Sequence, residues 1–131
     1  MMRPAGFFTE LSPGWGLPED GSIKDAVRPT GEPDERNILE YLRNGTEIRS
    51  EMSAGPDVLD PEAPGMTGIG SLLTDGTWLW RQDLPHYPAK YHVSLPGEFL
   101  EHARSLKHTT PAVPESRLIE ISTEDLGMDP G

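Results

Sequence analysis

The sequence predicts an α+β fold in which a small antiparallel sheet with a central Trp-rich hairpin is packed by two or three helices. The hairpin is predicted by residues 71–80, which hold two of the three tryptophans and an Asp75-Gly76 pair typical of two-residue turns. A further strand is predicted by residues 46–52, where charged and uncharged side chains alternate. Helices are predicted by residues 35–44 and 96–107, which carry apolar side chains at helical spacing.

Two short strands are predicted before the first helix. Residues 6–11 are rich in β-forming side chains, and residues 23–27 form a second short run before Pro29. Between them, residues 12–18 contain too many prolines and glycines for regular structure. We expect Trp15, in that broken segment, to fold back onto the core.

The first helix is predicted over residues 35–44 because Ile38, Leu39 and Leu42 share one face. Asp34 precedes the helix, where a carboxylate can accept hydrogen bonds from the first free amides as an N-cap. Gly45 follows it and suits the left-handed conformation in which many helices end. After the strand at residues 46–52, glycine and proline recur so often that residues 55–70 are predicted to form a long loop.

The hairpin is predicted to be covered on both sides. A turn centred on Asp75-Gly76 would make four cross-strand pairs, namely Thr74 with Thr77, Leu73 with Trp78, Leu72 with Leu79 and Ser71 with Trp80. Leu73, Trp78 and Trp80 would then share one face, and Leu72 and Leu79 would share the other. Because both faces carry apolar side chains, this ribbon should lie in the middle of the fold.

Three elements are predicted after the hairpin. Asp83 can cap a helix over residues 84–91, which Pro88 should kink or shorten because proline lacks an amide donor and clashes with the preceding turn. The helix over residues 96–107 has a continuous apolar stripe. Residues 117–122 are predicted to form a last strand.

Length and composition indicate one domain with a modest core. A chain of 131 residues with 14 glycines, 14 prolines and 34% hydrophobic residues has long irregular segments around a small apolar interior. We place the single α+β domain at residues 1–108. Residues 109–131 are predicted to be an acidic C-terminal segment that supplies one edge strand and then a disordered tail.

Charge and cysteine content exclude several classes of function. The chain has no cysteine, so disulfides and thiolate zinc sites are excluded, which is consistent with a cytoplasmic location. No apolar run is long enough to cross a membrane, and the first residues lack the pattern of a signal peptide. The net charge of −11 disfavours nucleic-acid binding. It can instead steer a basic protein partner, or simply keep the chain in solution.

No metal or cofactor site is predicted. The four histidines do not show the helical i, i+4 spacing of a zinc site. The glycines between residues 65 and 70 lack the Gly-Lys-Ser/Thr ending of a phosphate-binding loop. We therefore expect no metal and no cofactor, and we assign no catalytic residue.

The segment from Leu73 to Leu100 resembles a family of small uncharacterised actinobacterial proteins. The pattern that carries the resemblance is LLTDGTWLW…DL..Y…YHV.LP.EFL, and it extends to residues 8–18 and 37–45. Members usually have a helix-forming residue at the position of Pro88. The resemblance implies a stand-alone small domain, similar to bacterial immunity proteins, and it implies no catalytic residue.

These observations predict a non-enzymatic protein-binding domain, an immunity- or antitoxin-type inhibitor of a basic effector protein. Carboxylates before and within the long loop are predicted to face the partner, namely Glu47, Glu51, Asp57, Asp60 and Glu62. Their charge would mainly accelerate the encounter with the effector.

Two alternatives stay open. The first is a small hydrolase or small-molecule-binding protein that uses Asp83, His86 and His92 beside a pocket of aromatic side chains. The other interpretation of those aromatic side chains is that they form the core, since large rings dominate burial. The second is a regulatory or scaffold module that dimerises through a strand edge, so the sequence allows either a monomer or a homodimer.

Overall fold

Short strands and four α-helices make up the regular structure of the described residues. The computed structural model describes residues 3–11, 21–49, 54–55, 57–60, 62–63, 65–67 and 71–121. The strands described are β1 (Arg3–Pro4), β2 (Thr46–Arg49), β3 (Ala54–Gly55), β4 (Met66–Thr67), β5 (Leu72–Thr74) and β6 (Trp78–Arg81). The α-helices described are α1 (Glu35–Arg43), α2 (His86–Tyr91), α3 (Gly97–Ser105) and α4 (Glu115–Glu120). This combination confirms the predicted α+β class.

The Trp-rich hairpin lies at the centre of a four-stranded sheet, as predicted. The strand order is β1-β6-β5-β2, so β5 and β6 are the two inner strands. The sheet is mixed rather than purely antiparallel, because β1 runs parallel to β6 and pairs Arg3 with Trp78. Strands β3 and β4 form a separate two-stranded sheet within the long loop.

The hairpin turn lies one residue further along than predicted. Strand pairs join Leu73 to Trp80 and Thr74 to Leu79, and the amide of Asp75 reaches the carbonyl of Trp78, so Gly76 and Thr77 are the central residues. Gly76 has φ +96°, which glycine adopts without strain at the first position of such a turn. Each pairing partner is thereby displaced by two positions. Because side chains alternate with a period of two, every side chain keeps its predicted face.

Apolar groups cover both faces of the hairpin, which confirms the prediction from the pairing. Leu73, Trp78 and Trp80 belong to the main core, which also receives the buried faces of α1, α2 and α3. Leu72 and Leu79 belong to a smaller core on the opposite face, together with Phe7 and Ile121.

One ring of the main core packs edge to face against three others. Phe99 on α3 lies 5.7 Å from Trp80, 5.4 Å from Trp78 and 5.8 Å from Tyr41, measured between ring centroids. Trp80 also donates its indole N–H to the carbonyl of Leu42 at 3.0 Å. The buried aromatic side chains therefore form the core rather than line a pocket, with the partly exposed Tyr91 at its edge.

Three predicted strands are wrong. Within residues 6–11 the structure has buried Phe7 and Phe8 and then a 3₁₀ turn, and the edge strand is Arg3–Pro4 instead. Residues 23–27 begin with a 3₁₀ turn at Ile23–Asp25, in which the hydroxyl of Ser22 accepts the amide of Lys24. Such short runs of β-forming residues are decided by packing more than by propensity.

The last predicted strand is the helix α4. A helix in this place turns Ile121 alone onto the smaller core while Glu115 and Glu120 stay exposed. Pro114 starts it, and Arg117 pairs with Glu120 at 2.7 Å one turn later. Among the described residues, no helix has the length and apolar character needed to cross a membrane.

Helices α1, α2 and α3 lie where the apolar spacing places them. α2 begins at His86, two residues later than predicted, and Pro88 is accommodated as a buried residue within a helix of only six residues. The strand predicted at residues 46–52 is described only as far as residue 49, because residues 50–52 lie outside the described residues. Trp15 and the predicted tail after residue 121 lie outside them too.

Candidate functional site

All four histidines contact carboxylates, and the partners are distant in sequence. The nitrogen–oxygen distances are 2.7 Å for His86–Asp57, 3.0 Å for His92–Glu35, 3.3 Å for His102–Asp75 and 2.7 Å for His108–Asp34. No spacing pattern in the sequence indicates these pairs, because tertiary packing brings the partners together. They connect the α2–α3 half of the chain to α1, the long loop and the hairpin turn.

Asp57 accepts the most hydrogen bonds of these carboxylates. It is only 1% exposed, and one carboxylate oxygen lies 2.7 Å from Nε2 of His86 and 2.8 Å from the hydroxyl of Tyr91. The other oxygen accepts the amides of Leu59 and Asp60 at 2.8 and 3.1 Å. Asp57 therefore fastens the long loop onto α2. Its carboxylate was predicted to face a partner, but it is buried.

The surroundings of Asp57 keep it ionised. Burial by itself raises the pKa of this carboxyl, but hydrogen bonds from His86, Tyr91 and the amide of Leu59 outweigh burial and lower the pKa to about 2. An ionised carboxylate only accepts hydrogen bonds, so Nε2 of His86 is the donor. The other ring nitrogen of a neutral His86 then carries the lone pair.

A broad groove runs beside His86. Its volume is about 800 Å³, and its polar lining comes from α1, β2, the turn after β6, and α2, namely Arg43, Glu47, Gln82, Asp83, His86 and Lys90. Lys90 also lies 3.8 Å from Asp60, so the groove adjoins the loop that Asp57 fastens. Cations and carboxylates are mixed along it.

The structure does not unite Asp83, His86 and His92 in one catalytic group. Asp83 and His86 line the groove, but Arg81 binds both oxygens of Asp83 at 2.9 and 2.7 Å. Burial raises the pKa of Asp83, and the neighbouring Arg81 opposes that rise. His92 lines a different cavity and pairs with Glu35. The residue at the N-cap position of α2 is Pro85 rather than the predicted Asp83.

That second cavity, here called the α1–α3 cavity, has a volume of about 370 Å³. It lies beside the first turns of α1 and α3, and its lining includes Arg28, Glu35, Ile38, His92, Leu95 and Leu100. His92 ends α2 in the left-handed conformation, with φ 52°, which is uncommon for a residue other than glycine. No pattern in the sequence indicates this cavity, because its wall joins segments about 70 residues apart in the chain.

Asp34 does not cap α1 with its side chain. Arg104 binds its carboxylate through two nitrogens, each at 2.9 Å, and Nε2 of His108 lies 2.7 Å away. The hydrogen bonds from Arg104 hold the pKa of Asp34 well below its usual range. The carboxylate predicted as an N-cap instead ties α1 to the end of α3.

The remaining residues predicted to face a partner lie in different settings. Glu47 on β2 and Glu62 in the long loop are exposed, and Asp60 is about half exposed. Glu51 lies outside the described residues. The role of these carboxylates in binding stays a prediction.

Comparisons with known proteins add no assignment. The chain matches no protein-family model, no curated protein and no solved structure. In the part of the chain that the structure describes, no cluster of three or more histidine, aspartate or glutamate side chains could hold a metal ion.

The carboxyl of Asp57 should make the protein sensitive to acid. Because the folded state lowers its pKa below the unfolded value of about 4, the stabilisation is complete above that pH and is lost as the pH falls towards 2. We expect the free energy of unfolding of the wild type to lose about 2 kcal/mol through this one group. Urea denaturation between pH 6 and 2, compared with Asp57→Asn, measures it.

Asp60→Asn is the matched control, since it removes one negative charge from the same loop without touching the buried contacts. The difference in stability between wild type and Asp57→Asn should shrink across the acid range. An equal pH dependence for both proteins would show that the fold does not hold Asp57 ionised.

Proposed function

We propose that the chain is a non-enzymatic protein-binding domain, an immunity- or antitoxin-type inhibitor that binds a basic effector protein. The observation that carries the proposal is the distribution of charge. The chain has a net charge of −11, and among the described residues five of its 11 lysine and arginine side chains pair with its own carboxylates. Several carboxylates on the elements that the structure describes are exposed.

The internal pairs involve both arginine and lysine. Arg81 binds Asp83, Arg104 binds Asp34 and Glu32, and Lys90 lies 3.6 Å from Asp57. Outside these pairs, several carboxylates on different elements are exposed, including Glu40, Glu47, Glu62, Glu101 and Glu115. A basic partner would meet this surface with complementary potential, which accelerates association.

The proposed contact surface consists of Glu47, Asp60 and Glu62. The groove connects them, because Glu47 lines it and Lys90, which also lines it, contacts Asp60. Buried Asp57 supports this surface from below by holding the amide of Asp60, and the carboxylate of Asp60 accepts the amide of Glu62 at 3.2 Å. These bonds hold Asp60 and Glu62 in place before a partner arrives, which reduces the entropic cost of binding.

A direct test measures binding to the product of the neighbouring gene, since inhibitors of this type are encoded beside their effectors. The triple variant Glu47→Lys/Asp60→Lys/Glu62→Lys should lower the association rate at least ~10-fold at low salt. The matched control, Asp25→Lys/Glu101→Lys/Glu115→Lys, changes the net charge equally at exposed carboxylates outside the groove.

The wild-type association rate should also fall as the salt concentration rises, because exposed charges are screened. An absence of binding, a rate independent of salt, or equal effects of the two triple variants would contradict the proposal.

A further inference from the structure

We propose that the α1–α3 cavity binds a small carboxylic acid with an apolar body. This inference goes beyond the protein-binding function. It concerns a different part of the surface, since the cavity lining shares no residue with the groove lining.

The interior of the cavity is apolar. Ile38, Val93, Leu95 and Leu100 contribute to its wall, and each is at most 8% exposed. A volume of about 370 Å³ lies within the range typical of small-molecule sites, which combine an apolar wall with a few polar groups. A single aromatic ring or a branched aliphatic chain would fit within such a space.

Arg28 is the group at the rim that can receive an anionic head group. Glu35 is already paired with His92 at 3.0 Å, and Glu32 is already paired with Arg104 at 3.2 Å. Arg28 also lines the cavity, and its guanidinium has no side-chain partner among the described residues. A carboxylate entering the cavity can therefore pair with Arg28, whereas an amine would compete with His92 for Glu35.

The polar rim is held in place by the backbone. The amide of Ser94 donates to the carbonyl of Ala26 at 2.8 Å, and the amide of Arg28 donates to the carbonyl of Tyr91 at 3.3 Å. These bonds fasten the segment that bears Arg28 to the connection between α2 and α3. A cavity that is formed before binding loses little conformational entropy when a ligand enters.

Gly97 allows the cavity to be closed without disturbing the core. A Cβ atom at this position would have no heavy atom within 4 Å, and the residue lines the cavity at the start of α3. Gly97→Phe should therefore fold and obstruct the site, and Gly97→Ala is the matched control for the loss of glycine.

The experiment is a titration of the whole chain with 3-phenylpropionate and with 4-methylpentanoate, followed by NMR chemical shifts and calorimetry. We expect saturable binding with shifts confined to the α1–α3 cavity, and binding of 3-phenylpropionamide at least ~10-fold weaker because it lacks the charge that pairs with Arg28. Gly97→Phe and Arg28→Gln should each weaken binding of the acid by a similar factor. Gly97→Ala should not, and neither should Arg36→Gln, an exposed cation outside the cavity lining.

Several outcomes would overturn the proposal. One is the absence of binding by both acids up to about 10 mM. Another is equal or tighter binding of 3-phenylpropylamine or of the amide, which would show that the rim does not select a carboxylate. A third is binding that Gly97→Phe and Arg28→Gln leave unchanged. None of these outcomes depends on whether the chain binds a protein partner.

Discussion

Asp75→Ala is expected to lower the free energy of unfolding by about 3 kcal/mol, although Asp75 is a turn residue. Its side chain is fully buried, and one carboxylate oxygen accepts the amides of Thr77 and Trp78 at 2.9 and 2.7 Å. The other accepts the hydroxyl of Tyr41 and lies 3.3 Å from His102. Truncation removes all of these bonds at once, and urea denaturation followed by circular dichroism measures the loss.

The reason for so large an effect is the hydroxyl of Tyr41. Tyr41 is completely buried, and burial together with the bond to Asp75 raises the pKa of its hydroxyl. In Asp75→Ala this donor loses its acceptor inside the core, which costs more than losing a hydrogen bond at the surface.

A double-variant cycle separates the cost of the unsatisfied Tyr41 hydroxyl from the cost of the hydrogen bonds lost in the turn. Tyr41→Phe alone should cost about 1 kcal/mol, but in the Asp75→Ala background it should be neutral or stabilising, because it removes the unsatisfied hydroxyl. If the two substitutions were simply additive, the bond between Asp75 and Tyr41 would not be the reason for the cost.

Trp80→Ala should lower the free energy of unfolding by about 4 kcal/mol. Trp80 is completely buried between α1 and α3, with its ring 6.2 Å from that of Tyr41 and 5.7 Å from that of Phe99. The surrounding packing is tight, because a methyl group added at Gly45 would lie 2.6 Å from the indole. Such closely packed neighbours do not refill the space that the indole leaves.

Trp80→Phe is the control that keeps an aromatic ring in the core. It gives up the indole donor and leaves the carbonyl of Leu42 without that partner, so about 2 kcal/mol should be lost. The stability of both variants should be measured by circular dichroism, because the substitution itself changes the tryptophan fluorescence. A cost for Trp80→Ala no greater than that for Trp80→Phe would mean that the core closes around the missing ring.

The periodic parts of the sequence predicted the corresponding parts of the fold. α1 and α3 were predictable because their apolar side chains recur at helical spacing over nine residues each. The two faces of the hairpin were predictable for a similar reason. A displacement of the register by two positions does not move any side chain to the other face, so the error in the turn left the prediction of the core intact.

The non-periodic parts were not predictable in the same way. Residues 115–120 contain β-forming and helix-forming side chains in a run too short for either period to show. Their helix is selected by contacts with distant parts of the chain: Arg117 donates to the carbonyl of Gly76 in the hairpin turn, and Ile121 enters the smaller core. The same holds for the 3₁₀ turn at Ile23–Asp25, whose first amide donates to Glu10.

The sequence by itself determined the class of fold, the central place of the Trp-rich hairpin and the large negative charge. These properties depend on composition and on local spacing, which need no knowledge of distant contacts. Only the tertiary structure decided which carboxylates are exposed. It buried Asp57 and Asp75 against histidine and tyrosine side chains, turned Asp34 from a helix cap into a partner of Arg104, and enclosed a cavity between α1 and α3. Each of these outcomes joins residues far apart in the chain, and burial, rather than residue type, determines how a carboxylate behaves.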